Sequence, residues 1–241
     1  MKKTVVCALT GTVLAWAAVA GEITEEERSW KWSPIGIGLA APIQLPPVVT
    51  DVYGLRLGGI LGMNAEMRGL DAGLVEVSTR NVFGLQLAGF SWTAGDAYGV
   101  QLGALGNVVE GNAVGVQCGV VNVTKGDYCG LQVGAIDSSM SCAGAQFSAF
   151  VNWDKLASCG IQAALANFDW RSYTGLSLGG VNFADDQLGA QLGLLNQADT
   201  VTGLQLGLIN TCNELTGLQI GLINMVASSP LSVMVIANAS F

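Results

Sequence analysis

The sequence predicts an all-β repeat protein. Three observations carry this: a phrase recurring at a fixed period, two-residue alternation within it, and turn-forming residues between copies. The clearest copies are Gly203-Leu204-Gln205-Leu206-Gly207-Leu208-Ile209-Asn210 and Gly217-Leu218-Gln219-Ile220-Gly221-Leu222-Ile223-Asn224. Their leading glycines belong to a series of twelve (Gly54, Gly69, Gly84, Gly99, Gly115, Gly130, Gly144, Gly160, Gly175, Gly189, Gly203 and Gly217) spaced 14 to 16 residues apart.

The chain begins Met1-Lys2-Lys3, runs apolar and small from Thr4, and reaches Ala18-Val19-Ala20. A basic start, an apolar stretch and an A-x-A site read as a secretory signal peptide over residues 1–20, with the mature chain starting at Gly21. Cys7 sits inside the apolar stretch, too early for lipid attachment. Residues 21–33 follow as an acidic leader containing Glu22, Glu25, Glu26 and Glu27, and a single β-repeat domain occupies 34–241.

Within the domain, one strand is expected near Ile35 to Ala40, and the repeats run from about 53 to 225. In each copy Leu204, Leu206 and Leu208 fall on one face and Gly203, Gln205, Gly207 and Ile209 on the other, the pattern of a strand. Two glycines at about 1 kcal/mol each argue against a helix. Thr124-Lys125-Gly126-Asp127 and Ala184-Asp185-Asp186 have turn composition. The closing strand, 231–241, alternates and ends on Phe241. A terminal aromatic of this kind resembles the assembly signal of bacterial outer-membrane barrels.

A straight ten-residue strand covers about 33 Å and a four-residue linker at most about 14 Å. Such a linker reverses the chain into a hairpin more readily than it returns it for parallel stacking. The preferred expectation is therefore an antiparallel meander of about 14 strands closing as an outer-membrane-type β-barrel. The alternative is a β-solenoid with one repeat per coil. A bend at the second glycine permits it, and the uniform loops and recurring asparagines favour it.

Composition excludes several functions. The 241-residue chain has 51% apolar and only 12% charged residues, and removal of Lys2 and Lys3 takes its charge from −8 to −10. An acidic chain without basic clusters does not suit nucleic acid. It has no histidine and no phosphate-binding loop, so no enzymatic activity and no cofactor are expected. Cys118, Cys129, Cys142, Cys159 and Cys212 have no metal-site spacing and read as small fillers, with room for one disulfide.

The best-defined polar feature is the second residue after each leading glycine: Arg56, Asp71, Gln86, Gln101, Gln117, Gln132, Gln146, Gln162, Ser177, Gln191, Gln205 and Gln219. In a barrel these form a belt on the lumen face, as a constriction or as side chains bonded to each other. Arg56 and Asp71, in neighbouring repeats, suit an ion pair.

The run Val52-Tyr53-Gly54-Leu55-Arg56-Leu57, then Gly69-Leu70-Asp71-Ala72-Gly73-Leu74, with the later GLQ-x-G-x-x-N copies, resembles a family of bacterial surface-repeat proteins. The resemblance spans Pro34 to Phe241 and implies export to the outer membrane or cell surface, with no established activity. The expected role is non-enzymatic, as a pore-like or structural outer-membrane protein, with the membrane and its barrel-assembly machinery as partners. The alternative role is a surface solenoid binding an unknown partner through a Gly/Gln/Asn face.

Overall fold

The computed structural model describes residues 31–229 and 231–240. The signal peptide, most of the acidic leader and Phe241 lie outside these residues. Strand makes up 85% of the structure, and no helix occurs among the described residues. The strands are β1 (Trp32–Ala40), β2 (Ile43–Leu45), β3 (Asp51–Asn64), β4 (Met67–Ser78), β5 (Val82–Thr93), β6 (Ala97–Val109), β7 (Ala113–Thr124), β8 (Asp127–Ser139), β9 (Ser141–Asp154), β10 (Ser158–Leu206), β11 (Ile209–Val226) and β12 (Val233–Ser240).

These strands form a β-solenoid of about 13 turns, not a barrel. From β3 to β11 every neighbouring pair is parallel. The register places leading glycine beside leading glycine: Gly54 beside Gly69, Gly99 beside Gly115, Gly203 beside Gly217. The sheet order runs from β12 at one end to β1 and β2 at the other, so the two ends never meet. Antiparallel pairing is confined to those ends. β2 folds back on β1, and β12 folds back on β11, which covers the otherwise open edge strands.

The barrel expectation fails because the strand is not straight. Gly130 adopts φ 139°, and a Cβ there would lie 2.0 Å from the Gly115 carbonyl oxygen of the preceding coil. All twelve leading glycines share this positive φ, which turns the chain where only glycine fits. A second corner follows the small residue two positions beyond the glutamine. Leu208 and Ile209 both point outward before Asn210 turns in, so the two-residue alternation skips a step there. With its run divided by corners, the chain closes a coil in 14–16 residues, and a short linker suffices.

The recurring asparagine explains why the second corner holds. Its Nδ2 reaches a carbonyl of the following coil: Asn107 to Cys118 O at 2.9 Å, Asn167 to Leu178 O at 2.9 Å, Asn210 to Ile220 O at 2.9 Å. Ile220 O also accepts from Gly207 N at 3.0 Å, so there the side chain adds a second donor that ties the bend to the next coil. The same amide is why the corner residue is small. A Cβ on Gly207 would lie 2.4 Å from Gly193 O and 2.6 Å from Asn196 Nδ2.

Four columns of side chains fill the interior. One is mainly apolar and includes Val52, Met67, Val82, Ala97, Ala113, Tyr128, Cys142, Val201 and Leu215. The Tyr128 hydroxyl donates to Gly115 O at 2.8 Å, and burial pushes its pKa well above the usual tyrosine value. The second is the glutamine column, the third the asparagine column. The fourth mixes Ser78, Thr93, Val109, Ser139, Asp154, Asp169, Ala198 and Cys212, all buried. Burial raises the Cys212 thiol to about 11, and the five cysteines among the described residues are free. Most interior side chains thus bond along the rod, coil to coil, instead of packing as a hydrocarbon core.

Candidate functional site

The twelve residues singled out from the repeat do come together, inside the rod. Arg56, Asp71, Gln86, Gln101, Gln117, Gln132, Gln146, Gln162, Ser177, Gln191, Gln205 and Gln219 are all buried, none more than 4% exposed. They do not line a lumen, because a solenoid of this girth has none. Each glutamine donates to the one before it: Gln101 to Gln86 at 3.0 Å, Gln117 to Gln101 at 2.9 Å, Gln132 to Gln117 at 2.8 Å, Gln146 to Gln132 at 2.9 Å. The series continues from Gln162 to Gln146 at 3.1 Å and from Gln219 to Gln205 to Gln191 at 2.7 and 2.8 Å.

Every amide therefore points its positive end toward the N-terminal coils, and the column ends on an anion. Gln86 donates to Asp71 Oδ2 at 3.2 Å, and Arg56 Nε lies 3.1 Å from Asp71 Oδ1. Arg56 also contacts Glu76. Burial pushes the Arg56 guanidinium down, against the attraction of Asp71. Burial likewise pushes the Asp71 carboxyl up, against Arg56 and Gln86. In both shifts burial is the largest cause and the partner's charge opposes it.

The asparagine column runs the other way. Asn107 donates to Asn122 at 2.8 Å, Asn122 to Asp137 at 2.7 Å, Asn152 to Asn167 at 2.8 Å, and so on to Asn224. Two residues interrupt these columns. Ser177, too short for its place, leaves Gln162 Oε1, Gln191 Nε2 and its own hydroxyl without a protein partner. Asp137 accepts from Asn122 and from Ser148 at 2.6 Å. As a carboxylate it has no proton for Asn152 Oδ1, which is left without a partner.

Three buried carboxylates, Asp137, Asp154 and Asp169, lie on consecutive coils. Burial raises Asp137 to about 6, with Ser148 and Asn122 opposing and Asp154 adding to the rise. Burial raises Asp154 and Asp169 as well. Gln162 Nε2 donates to both, at 2.7 and 3.0 Å. Amides hold these acids, and no group among the described residues is arranged to hold a metal ion.

The outer surface is strongly polarised. Every surface charge among the described residues lies in the five positions before a leading glycine or its counterpart in β1: for example Glu66, Arg68, Arg80, Asp96, Glu110, Lys125, Lys155, Asp199 and Glu214. From the leading glycine through the eighth residue after it, the only charged side chains are the buried Arg56, Asp71, Glu76 and Asp137. Its outward columns one, three, five and six residues after the leading glycine hold leucine, isoleucine, valine, phenylalanine, alanine, glycine and Cys118. A shallow trough of about 840 Å³ lies there, with Leu87, Leu102, Val120 and Val133 on its walls and Gly103, Gly119 and Gly134 on its floor. The inward polar column is legible in the repeat itself. The outward one was written in the same leucines but needed the corner positions before it could be read as a face.

No family model matches the chain, and neither a curated protein nor a solved structure shows significant similarity to it.

Proposed function

We propose that the chain is an exported, non-catalytic surface protein that acts by binding through the outer apolar faces of its solenoid. The observation that carries this reading is the segregation of surface charge to one edge, opposite a continuous run of exposed aliphatic side chains. Soluble monomers rarely expose apolar patches beyond a few hundred Å². Here a twelve-coil stack at about 4.8 Å per coil makes a face about 55 Å long. Binding through a Gly/Gln/Asn face does not fit, because the glutamines and asparagines of the repeat point inward and their amides are engaged with each other.

Export rests on the basic, apolar and A-x-A pattern of residues 1–20 and on the resemblance to surface-repeat proteins. Fractionation of cells producing the chain, with N-terminal sequencing, tests it. The mature protein is expected outside the cytoplasm, starting at Gly21 and attached to the envelope. Leu194→Asp should release it from the envelope, and Glu214→Gln should not. Cytoplasmic protein retaining Met1, or equal attachment of both variants, would refute the reading.

A further inference from the structure

We propose that the occupant of the apolar faces is the hydrocarbon of a charge-neutral lipid bilayer, on which the rod lies without spanning it; this rests on the outer-face reading above. The first argument is what the surface lacks. In the outward columns one, three, five and six residues after each leading glycine, no side chain from Leu55 to Ile223 carries a nitrogen or an oxygen. A protein partner typically makes about one hydrogen bond per 100–200 Å² of interface, and these columns offer no side chain to make one. Hydrocarbon asks for none, provided that the backbone is satisfied internally. The solenoid meets this condition, since each coil's strands are bonded to the coils on either side.

The second argument is the order of side chains around the rod. The corner furthest from the charged edge is wholly apolar and protrudes strongly. Leu74, Leu105, Phe150, Leu165, Leu194 and Leu222 are between 56% and 68% exposed there. Aromatic residues stand at the two borders between this region and the charged edge. One border holds Trp32 stacked on Tyr53 and Phe83 stacked on Tyr98, with Arg68 over Tyr53 and Phe83. The other holds the Trp153, Phe168, Trp170 and Phe183 cluster. Aliphatic, then aromatic, then charged is the sequence of layers met on leaving a bilayer core for water.

The third argument is charge. The edge facing water carries more acids than bases, so an anionic membrane would repel it and a zwitterionic one would not. Attraction by surface charge plays no part, and binding should survive high salt.

The test is flotation of the mature chain, purified in mild detergent, with vesicles of pure phosphatidylcholine and with vesicles containing phosphatidylserine. The protein should float with phosphatidylcholine equally at low and high salt, and less well with phosphatidylserine. Brominated acyl chains should quench its tryptophans. Leu105→Asp with Leu194→Asp should lower the bound fraction at least about tenfold with an unchanged far-ultraviolet circular dichroism spectrum, and Lys125→Gln should not. Binding only to phosphatidylserine, abolished by salt, would overturn the proposal. A lipid-free dimer that the Leu105/Leu194 pair dissociates would also overturn it, while leaving outer-face binding intact with a second copy as the occupant. A lipid-free monomer together with unaltered envelope attachment of Leu194→Asp would remove both readings.

Discussion

Ser177→Gln should stabilise this protein, although it places a larger polar side chain in a fully buried position. Ser177 stands in the glutamine column between Gln162 and Gln191, and the stacking of Gly160, Gly175 and Gly189 holds the three coils in common register. Elsewhere, Gln101, Gln117, Gln132, Gln146 and Gln205 each make one bond back and one forward within the column at 2.7–3.1 Å. At Ser177 both are missing, and Gln162 Oε1 and Gln191 Nε2 have no protein partner. A glutamine supplies both bonds in the polarity of the column, at about 1 kcal/mol each, and relieves two buried polar atoms whose isolation costs about 1–3 kcal/mol apiece. Ordering the new side chain costs up to about 2 kcal/mol. These terms leave about 2–6 kcal/mol before any cost of fitting the larger side chain, and the lower end, about 2 kcal/mol, corresponds to a rise in Tm of about 4–8 °C for a chain of this length. Thermal and urea melts of the wild type, Ser177→Gln and Ser177→Ala measure it. A Ser177→Gln protein with native circular dichroism that melts at or below the wild-type temperature would show that interior amides do not hold the coils together.

Three further outcomes follow from the same geometry. Asp137→Asn should stabilise the chain at pH 7.5, because the new amide can donate to Asn152 Oδ1 and keeps the bond from Asn122. The folded-state value of Asp137, about 6, lies above the ordinary carboxylate value of about 3.9. Its contribution is therefore full below about pH 4 and is lost as pH rises through about 6; the wild-type Tm should fall over that range, Asp137→Asn should remove part of the fall, and an unchanged profile would refute the assignment. Gly130→Ala should cost more than about 3 kcal/mol, from positive-φ strain added to overlap with the Gly115 carbonyl, whereas Gly180→Ala, with nothing nearer than 3.0 Å, should cost under about 1 kcal/mol; comparable melts for the two would refute the corner geometry. Gln205→Arg should prevent folding, because it buries an unpaired charge, while Leu206→Arg should fold, since Leu206 is 41% exposed; the barrel expectation ranks the two the other way, and circular dichroism of both variants decides between them.

The repeat made much of this molecule legible. Its period, the strand character of each copy and the pairing of Arg56 with Asp71 in neighbouring coils could all be read from residue types and spacing, because each is a local or next-repeat property. The path of the chain between copies misled the reading. A ten-residue alternating stretch predicts a straight strand, and a straight strand forces a hairpin. What it concealed was a positive-φ glycine at one end and a corner after the second small residue. The trace of that corner is two successive apolar residues before the asparagine, as in Leu194-Leu195, Leu208-Ile209 and Leu222-Ile223, which break the alternation.

The same break decides which side of each residue faces water, and so which residues matter. By itself the sequence determined that twelve equivalent units exist, that each is a β element, and that one polar and several apolar columns must line up if the units do. It did not determine whether the units stack in parallel or alternate, because period-two alternation is the same in both. Only the tertiary structure decided that, through the glycine corners and the asparagine bonds that tie each coil to the next. Closure turned the glutamines inward, where each can meet its own kind in the next coil. It left the leucines outside, facing away from the one charged edge.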